Sequence, residues 1–283
     1  MKEYVINYTI TQELIPKIIH QTSKLNNHKF LNFSNNWKKI HTGWEYIFYN
    51  DKDIDDFLST YEKEIKNDYK ELFNFLKSCS TIEKIDIFRY LIMYYIGGIY
   101  CDIDTNCFQN FENICQNEEC ILGIESYITH YKKNSFKYKF NYTLGNAILI
   151  SKKKHPFFKN LINSITKEKY PVNIKPEFSE YVVQKTGPGI VTKVIHDYIY
   201  SPNQNNWNIR KFEYQKSQIK IMEQIYFYSP SQPPIYNFSP FNINIYSNHI
   251  CDGSWKKNKN NSLSTMDFLP YPYEWMYKYR IDY

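Results

Sequence analysis

Residues 80–105, STIEKIDIFRYLIMYYIGGIYCDIDT, constrain the fold more than any other stretch. Thr81 to Ile96 puts apolar residues on most faces of a helix, so the segment predicts a buried helix with Ser80 or Thr81 as its N-cap. Gly97-Gly98 closes it, because glycine enters left-handed backbone without a side-chain clash. Ile99 to Ile103 then reads as a short central strand. A buried helix feeding a buried strand needs apolar layers on both sides, which a helix-flanked sheet supplies.

The flanking sequence fits that architecture. Ile18-Ile19 ends in the polar His20-Gln21-Thr22, as a first strand with polar groups at its carboxyl end would. A helix is expected from about Lys29 to Ile40, a second strand over Trp44 to Tyr49, and one or two helices over Asp53 to Leu76. Later strands are expected at Glu119 to Ser126 and Asn146 to Ser151, with a helix from Pro156 to Lys167. The alternation predicts an α/β fold, a Rossmann-like, mainly parallel sheet flanked by helices. With no repeat and no linker-like composition, residues 1–283 read as one domain with an irregular C-terminal tail from about residue 256.

Composition narrows the chemistry less. A net charge of +6 favours anionic partners without choosing among them. The six cysteines form no C-x-x-C pair, so they read mainly as reduced thiols, with one local disulfide within residues 101–120 left open. No apolar run approaches the roughly 18 residues that span a bilayer, and the N-terminus lacks an apolar signal core. The chain is therefore expected to be cytoplasmic or peripheral to a membrane, where its positive charge would favour an acidic surface.

The chemistry concentrates at Asp102 and Asp104. On a strand, residues i and i+2 share a face about 7 Å apart, so the two carboxylates would project together. Like charges so placed need a cation or hydrogen-bond donors between them. A hard divalent ion, Mn²⁺ or Mg²⁺, completed by substrate phosphates, answers that need; a solvated turn is the alternative. A calcium EF-hand loop from Asp102 fails, because Cys107 and Asn113 stand where glycine and glutamate are required. A nucleic-acid-binding protein would explain the charge and the tyrosines, but not this acidic pair, so no nucleic-acid partner is expected.

With IPKIIHQT, GWEYIFYND, LGNAILISKKKHPFF, TGPG and YSNHICDGSW, in that order along the chain, this segment resembles the DXD-containing glycosyltransferases of family 32. The chain departs from the family at Ser23, where an aromatic is usual, and after Trp255. The resemblance implies a GT-A fold and metal-dependent, retaining transfer from a nucleotide-sugar donor (a UDP-sugar or GDP-mannose) to a glycan, glycolipid or protein acceptor. Asp104 would ligate the metal directly, and Asp102 would share it or bind donor hydroxyls. His249, within H-x-x-x-G-S-W, would be the third ligand, with Ser254 and Trp255 on phosphate or the glycosidic oxygen. Asp86 and Arg89, at i and i+3 on one helix face, would grip the donor sugar, and Asn146 would touch it.

Tyr100 is either a sugar or nucleoside contact or a core tyrosine. Gly187 in TGPG either permits close approach to substrate or forms a turn. His20, Gln21 and Thr22 are candidates for the nucleotide, and residues 126–143 and the tail for the acceptor. The competing expectation is a non-catalytic nucleotide-sugar or carbohydrate-binding relative.

Overall fold

The computed structural model describes residues 15–23, 30–127, 142–167, 178–199, 211–228 and 245–250. The chain divides into two compact units, 1–252 and 253–283, and every described residue belongs to the first.

In chain order the first elements are β1 (Ile18–Thr22), α1 (Leu31–Ile40), β2 (Glu45–Tyr49), α2 (Asp51–Thr60), α3 (Glu62–Asp68) and α4 (Leu72–Ser78). The centre holds α5 (Thr81–Tyr95), β3 (Gly98–Cys101), β4 (Thr105–Cys107), α6 (Glu112–Cys115), β5 (Cys120–Tyr127) and β6 (Tyr142–Ser151). Then come α7 (Pro156–Lys167), α8 (Phe178–Lys185), α9 (Pro188–Ile199), β7 (Lys211–Tyr214), β8 (Ser217–Met222), α10 (Gln224–Phe227) and β9 (Ser247–His249).

Seven strands form one sheet in the order β2-β1-β3-β6-β5-β8-β7, and β4 pairs with β9 in a second, two-stranded sheet. Strands β2, β1, β3, β5 and β8 run the same way; β6 and β7 are reversed. The fold is therefore α/β, with the sheet mainly parallel in direction and β6 inserted antiparallel at its centre. Successive residues of β6 enter opposite cores: Leu149 packs with α5, α7 and α9, while Ile148 and Ile150 pack with Trp37, Phe111 and Phe227. That is the continuous apolar run of a strand buried on both faces.

Helix α5 is buried from Asp86 through Tyr95. A capping box opens it: Ser80 Oγ accepts from the Glu83 amide, and the Glu83 carboxylate accepts from the Ser80 amide at 2.8 Å. Gly97 (φ +80°) and Gly98 (φ +101°) turn the chain from α5 into β3. A Cβ on Gly98 would lie 2.5 Å from the Ile18 carbonyl oxygen, so side-chain bulk is excluded where β3 meets β1.

Three sequence expectations change. The amphipathic stretch after β2 forms three helices, because the backbone leaves helical geometry at Tyr61 (φ −95°, ψ 12°) and Tyr69 (φ −141°, ψ 86°). Strand β6 begins four residues earlier than expected, at Tyr142. Strand β3 stops at Cys101, so Asp102 and Asp104 do not share a strand face. The Asp102 amide makes a final bond to the Ala147 carbonyl at 2.8 Å, and the Asp102 carbonyl then accepts from the Thr105 amide at 3.0 Å, closing a turn.

Cys101, Cys107, Cys115 and Cys120 are buried free thiols, so no disulfide forms among these four. Among the described residues, no helix is long and apolar enough to cross a membrane.

Candidate metal and donor site

The carboxyl ends of β1, β3 and β5 converge with the middle of β6, the edge where open α/β sheets bind ligands. Here the Asp102–Thr105 turn hands the chain to β4, whose antiparallel pairing with β9 sets Thr105 opposite His249. The Ile250 amide donates to the Asp104 carbonyl at 3.2 Å. This backbone register carries His249 Nε2 to 3.2 Å from Asp104 Oδ1. Asp102, Asp104 and His249 each offer a ligand atom, and these atoms lie within 4.8 Å of one another. The carboxylates thus meet through a turn rather than a strand pleat, and the histidine 145 residues downstream in sequence number joins them through a two-stranded ladder.

Behind the trio lies a buried polar network. Arg89 Nη1 stands 3.1 Å from both Asp102 carboxylate oxygens and donates to the Asn146 carbonyl at 2.8 Å; Nη2 lies 3.4 Å from Asp86 Oδ1. Asn146 Nδ2 donates to Asp86 Oδ1 and to the Tyr90 hydroxyl, each at 3.0 Å. Tyr90 donates to the Thr186 carbonyl at 2.6 Å, and Thr186 Oγ1 returns to Asp86 Oδ2 at 2.8 Å. Asn146 reaches this loop because the β5–β6 register jumps from Leu122↔Leu149 to Ile124↔Leu144, leaving Gly145 to Ala147 bulged.

Burial pushes the Asp86 carboxyl up to about 6, against Arg89, Thr186 and Asn146, which favour the charged form. Burial opposes the Arg89 charge too, yet Asp102 and Asp86 hold its proton well above the ordinary range.

The predicted residues separate accordingly. Asp86, Arg89 and Asn146, the residues assigned to the donor sugar, are brought together, buried, with most of their polar atoms directed to protein groups. Arg89 Nε alone in this group is buried with no hydrogen-bond partner among the described residues.

Tyr100 lies in the interior beside Asp102. It is fully buried, donates to Asp102 Oδ1 at 2.9 Å, pairs with Thr22 Oγ1 at 2.8 Å and carries the Arg89 guanidinium 4.7 Å over its ring. Gly187 lies in the turn between α8 and α9: its amide bonds to the Val182 carbonyl, and a Cβ there would crowd Val183 of α8.

His20, Gln21 and Thr22, the candidates for the nucleotide, all make hydrogen bonds to protein groups. His20 is enclosed, with Nδ1 3.1 Å from the Tyr49 hydroxyl and Nε2 2.9 Å from the Gly97 carbonyl. Gln21 donates to the Asp102 carbonyl and accepts from Tyr46, while Thr22 holds Tyr100. Through Gln21 on the Asp102 carbonyl and Thr22 on Tyr100, which itself donates to Asp102, these side chains brace the Asp102 turn. Ser254 and Trp255 lie outside the described residues, as do 128–141 and the tail expected to meet the acceptor.

Sequence reasoning missed Tyr90, Thr186 and Glu125. The first two close the Asp86 network, and Thr186 was in view only as part of TGPG. Glu125, near the end of β5, places Oε1 3.9 Å from His249 Nδ1. A lone acid ending an apolar strand was its one sequence signal.

Burial lowers His20 to about 4, and His155 likewise. The unfolded chain, titrating near 6.5, therefore binds more protons between those values, and stability is lost as pH falls through that window, by roughly 3 kcal/mol per histidine. Asp86, raised from 3.8 to about 6, acts in the opposite sense, its contribution being lost as pH rises. Two histidines outweigh one carboxylate, so the urea midpoint is expected to be lower at pH 4.5 than at pH 7. An equal or higher midpoint at pH 4.5 would contradict the enclosure of these rings.

Residues 27–121 match the family model for the glycosyltransferase sugar-binding region containing the DXD motif. An initiation-specific alpha-1,6-mannosyltransferase of Schizosaccharomyces pombe is 26% identical over 268 residues, covering 86% of this chain and 64% of its own. Mannosyl phosphorylinositol ceramide synthase CSH1 of Saccharomyces cerevisiae is 27% identical over 201 residues, 68% of this chain and 45% of that protein. The chain thus spans less than two thirds of either relative's length. A solved structure, the PaToxG glycosyltransferase, superposes with a TM-score of 0.45 at 17% identity, covering 66% of this chain and 71% of that one. The Asp-x-Asp turn lies inside the stretch matched to the DXD sugar-binding region, and the opposed histidine lies outside it. The family 32 resemblance read from the sequence stands, and the relatives named here carry mannosyltransferase or mannosyl-synthase names.

Proposed function

We propose that the chain transfers a hexose from a nucleotide-sugar donor to a hydroxyl of a glycan, glycolipid or protein acceptor. The observation that carries this is the meeting of Asp102, Asp104 and His249 within 4.8 Å, in a chain matched to the DXD sugar-binding region. The relatives' names make mannose the first sugar to test, with GDP-mannose as donor and UDP-sugars second. The inositol-phosphoceramide relative favours including glycolipids among the acceptors.

Two carboxylates and an imidazole suit Mn²⁺, with Mg²⁺ the harder alternative. Such an ion, when bound, would neutralise charge gathering on a departing nucleoside diphosphate. Asp104 and His249 would hold it. Asp102 would share it less fully, because Arg89 already sits against both of its oxygens. Tyr100 and Arg89 fix the Asp102 carboxylate, and Asp86, Asn146 and Thr186 fix Arg89. Ser254 and Trp255 are proposed to close on the phosphates, and retention of anomeric configuration is carried by the family resemblance alone.

The test is donor turnover by the purified protein with Mn²⁺, comparing GDP-mannose with UDP-hexoses. Release of GDP is the expected result, and release of UDP alone would reassign the donor. No release of either after prolonged incubation would leave a binding protein without turnover.

A further inference from the structure

We infer that Glu125 is a positioning residue for His249, holding its imidazole with Nε2 toward the Asp102–Asp104 pair. The inference rests on the proposed metal reading and extends it to a residue on a different strand.

The two nitrogens of His249 face opposite ways, each toward a carboxylate. Nε2 is 3.2 Å from Asp104 Oδ1, and Nδ1 is 3.9 Å from Glu125 Oε1. An imidazole binds a cation through a lone pair, so if Nε2 is the ligand atom, the ring proton belongs on Nδ1. That N–H needs an acceptor, and ligating histidines meet the need with a carboxylate or carbonyl behind the ring. Glu125 stands there. The 3.9 Å separation is longer than a hydrogen bond, and a small turn of the carboxyl or one bridging water closes it.

Both partners are held from outside the site. The Glu125 carbonyl accepts from Gln224 Nε2 at 2.6 Å, tying the end of β5 to α10. On the other side, the Tyr228 ring meets the imidazole edge-on at 6.0 Å, and its hydroxyl accepts from the Ile148 amide at 3.1 Å. Gly145 leaves room for that hydroxyl, since a Cβ there would fall 2.2 Å from it. The ring is thus wedged between Tyr228 and the β4–β9 ladder, and Glu125 sets its remaining degree of freedom, the tautomer.

The experiment measures the Mn²⁺ dissociation constant by electron paramagnetic resonance, which reads free ion directly, with circular dichroism to confirm folding. Glu125→Ala is expected to weaken Mn²⁺ binding by roughly 10- to 100-fold, and Glu125→Gln, which keeps an accepting oxygen, by only a few-fold. In a His249→Ala background, Glu125→Ala is expected to add nothing. Wild-type affinity in Glu125→Ala, while Asp104→Asn loses it, overturns the inference and spares the metal reading. Equal losses in Glu125→Ala and Glu125→Gln also overturn it, because net charge rather than orientation would then be the cause. Unchanged affinity in Asp104→Asn and His249→Ala overturns the metal reading, and this inference with it.

Discussion

Asp104→Asn is expected to lower sugar transfer by at least about a hundredfold while leaving the protein folded. Asparagine matches aspartate in size but lacks the charge to hold a divalent cation. The backbone at this position is unaffected, since the Asp104 carbonyl keeps its bond from the Ile250 amide. The variant should therefore melt within a few degrees of the wild type. Asp102→Asn is expected to behave differently, because that carboxylate also neutralises the buried Arg89. An active Asp104→Asn enzyme, indifferent to chelators, would remove the metal from the account.

Arg89→Ala is expected to cost roughly 3–5 kcal/mol of stability, the usual consequence of breaking a buried charged pair from one side. Its guanidinium spans Asp102, the Asn146 carbonyl and Asp86, and it covers the face of Tyr100. Asp86, which burial already raises to about 6, would lose its cation. Arg89→Lys should recover only part of the loss, since one ammonium cannot replace a planar fork across three acceptors. Pairing Arg89→Met with Asp86→Asn should recover more than Arg89→Met alone, because no carboxylate is then left uncompensated at that position. Urea unfolding of the four variants checks the ordering; an Arg89→Ala protein as stable as wild type would mean that the network carries little free energy.

Much of this was readable before any coordinates. Helix α5, its Ser80 cap and the glycine pair follow from an apolar segment that only complete burial satisfies, closed by residues that only backbone geometry requires. Asp102 and Asp104 were readable as partners, but the geometry joining them was not. The strand pattern runs through Ile103, whereas the ladder ends at Cys101 because the Asp102 carbonyl is taken by Thr105 and Gln21. His20 and Gln21 end a strand, yet the groups that meet their side chains, Tyr49, Gly97, Tyr46 and Asp102, come from other parts of the chain. Sequence order does not give that, nor does it place β6 antiparallel between β3 and β5. His249 was visible through its resemblance to a family element, and Glu125 was not, because its significance comes only from the β4–β9 pairing that brings the histidine beside it.

Asp102, Asp104 and His249 are proposed to hold a cation that receives a nucleoside diphosphate. Calorimetric titration of GDP and of UDP, each with and without Mn²⁺, into wild-type protein and Asp104→Asn tests it most directly. Binding of one nucleotide that appears only with Mn²⁺, and disappears in Asp104→Asn, is the expected result. Binding of equal strength without metal, or in both proteins alike, would contradict it.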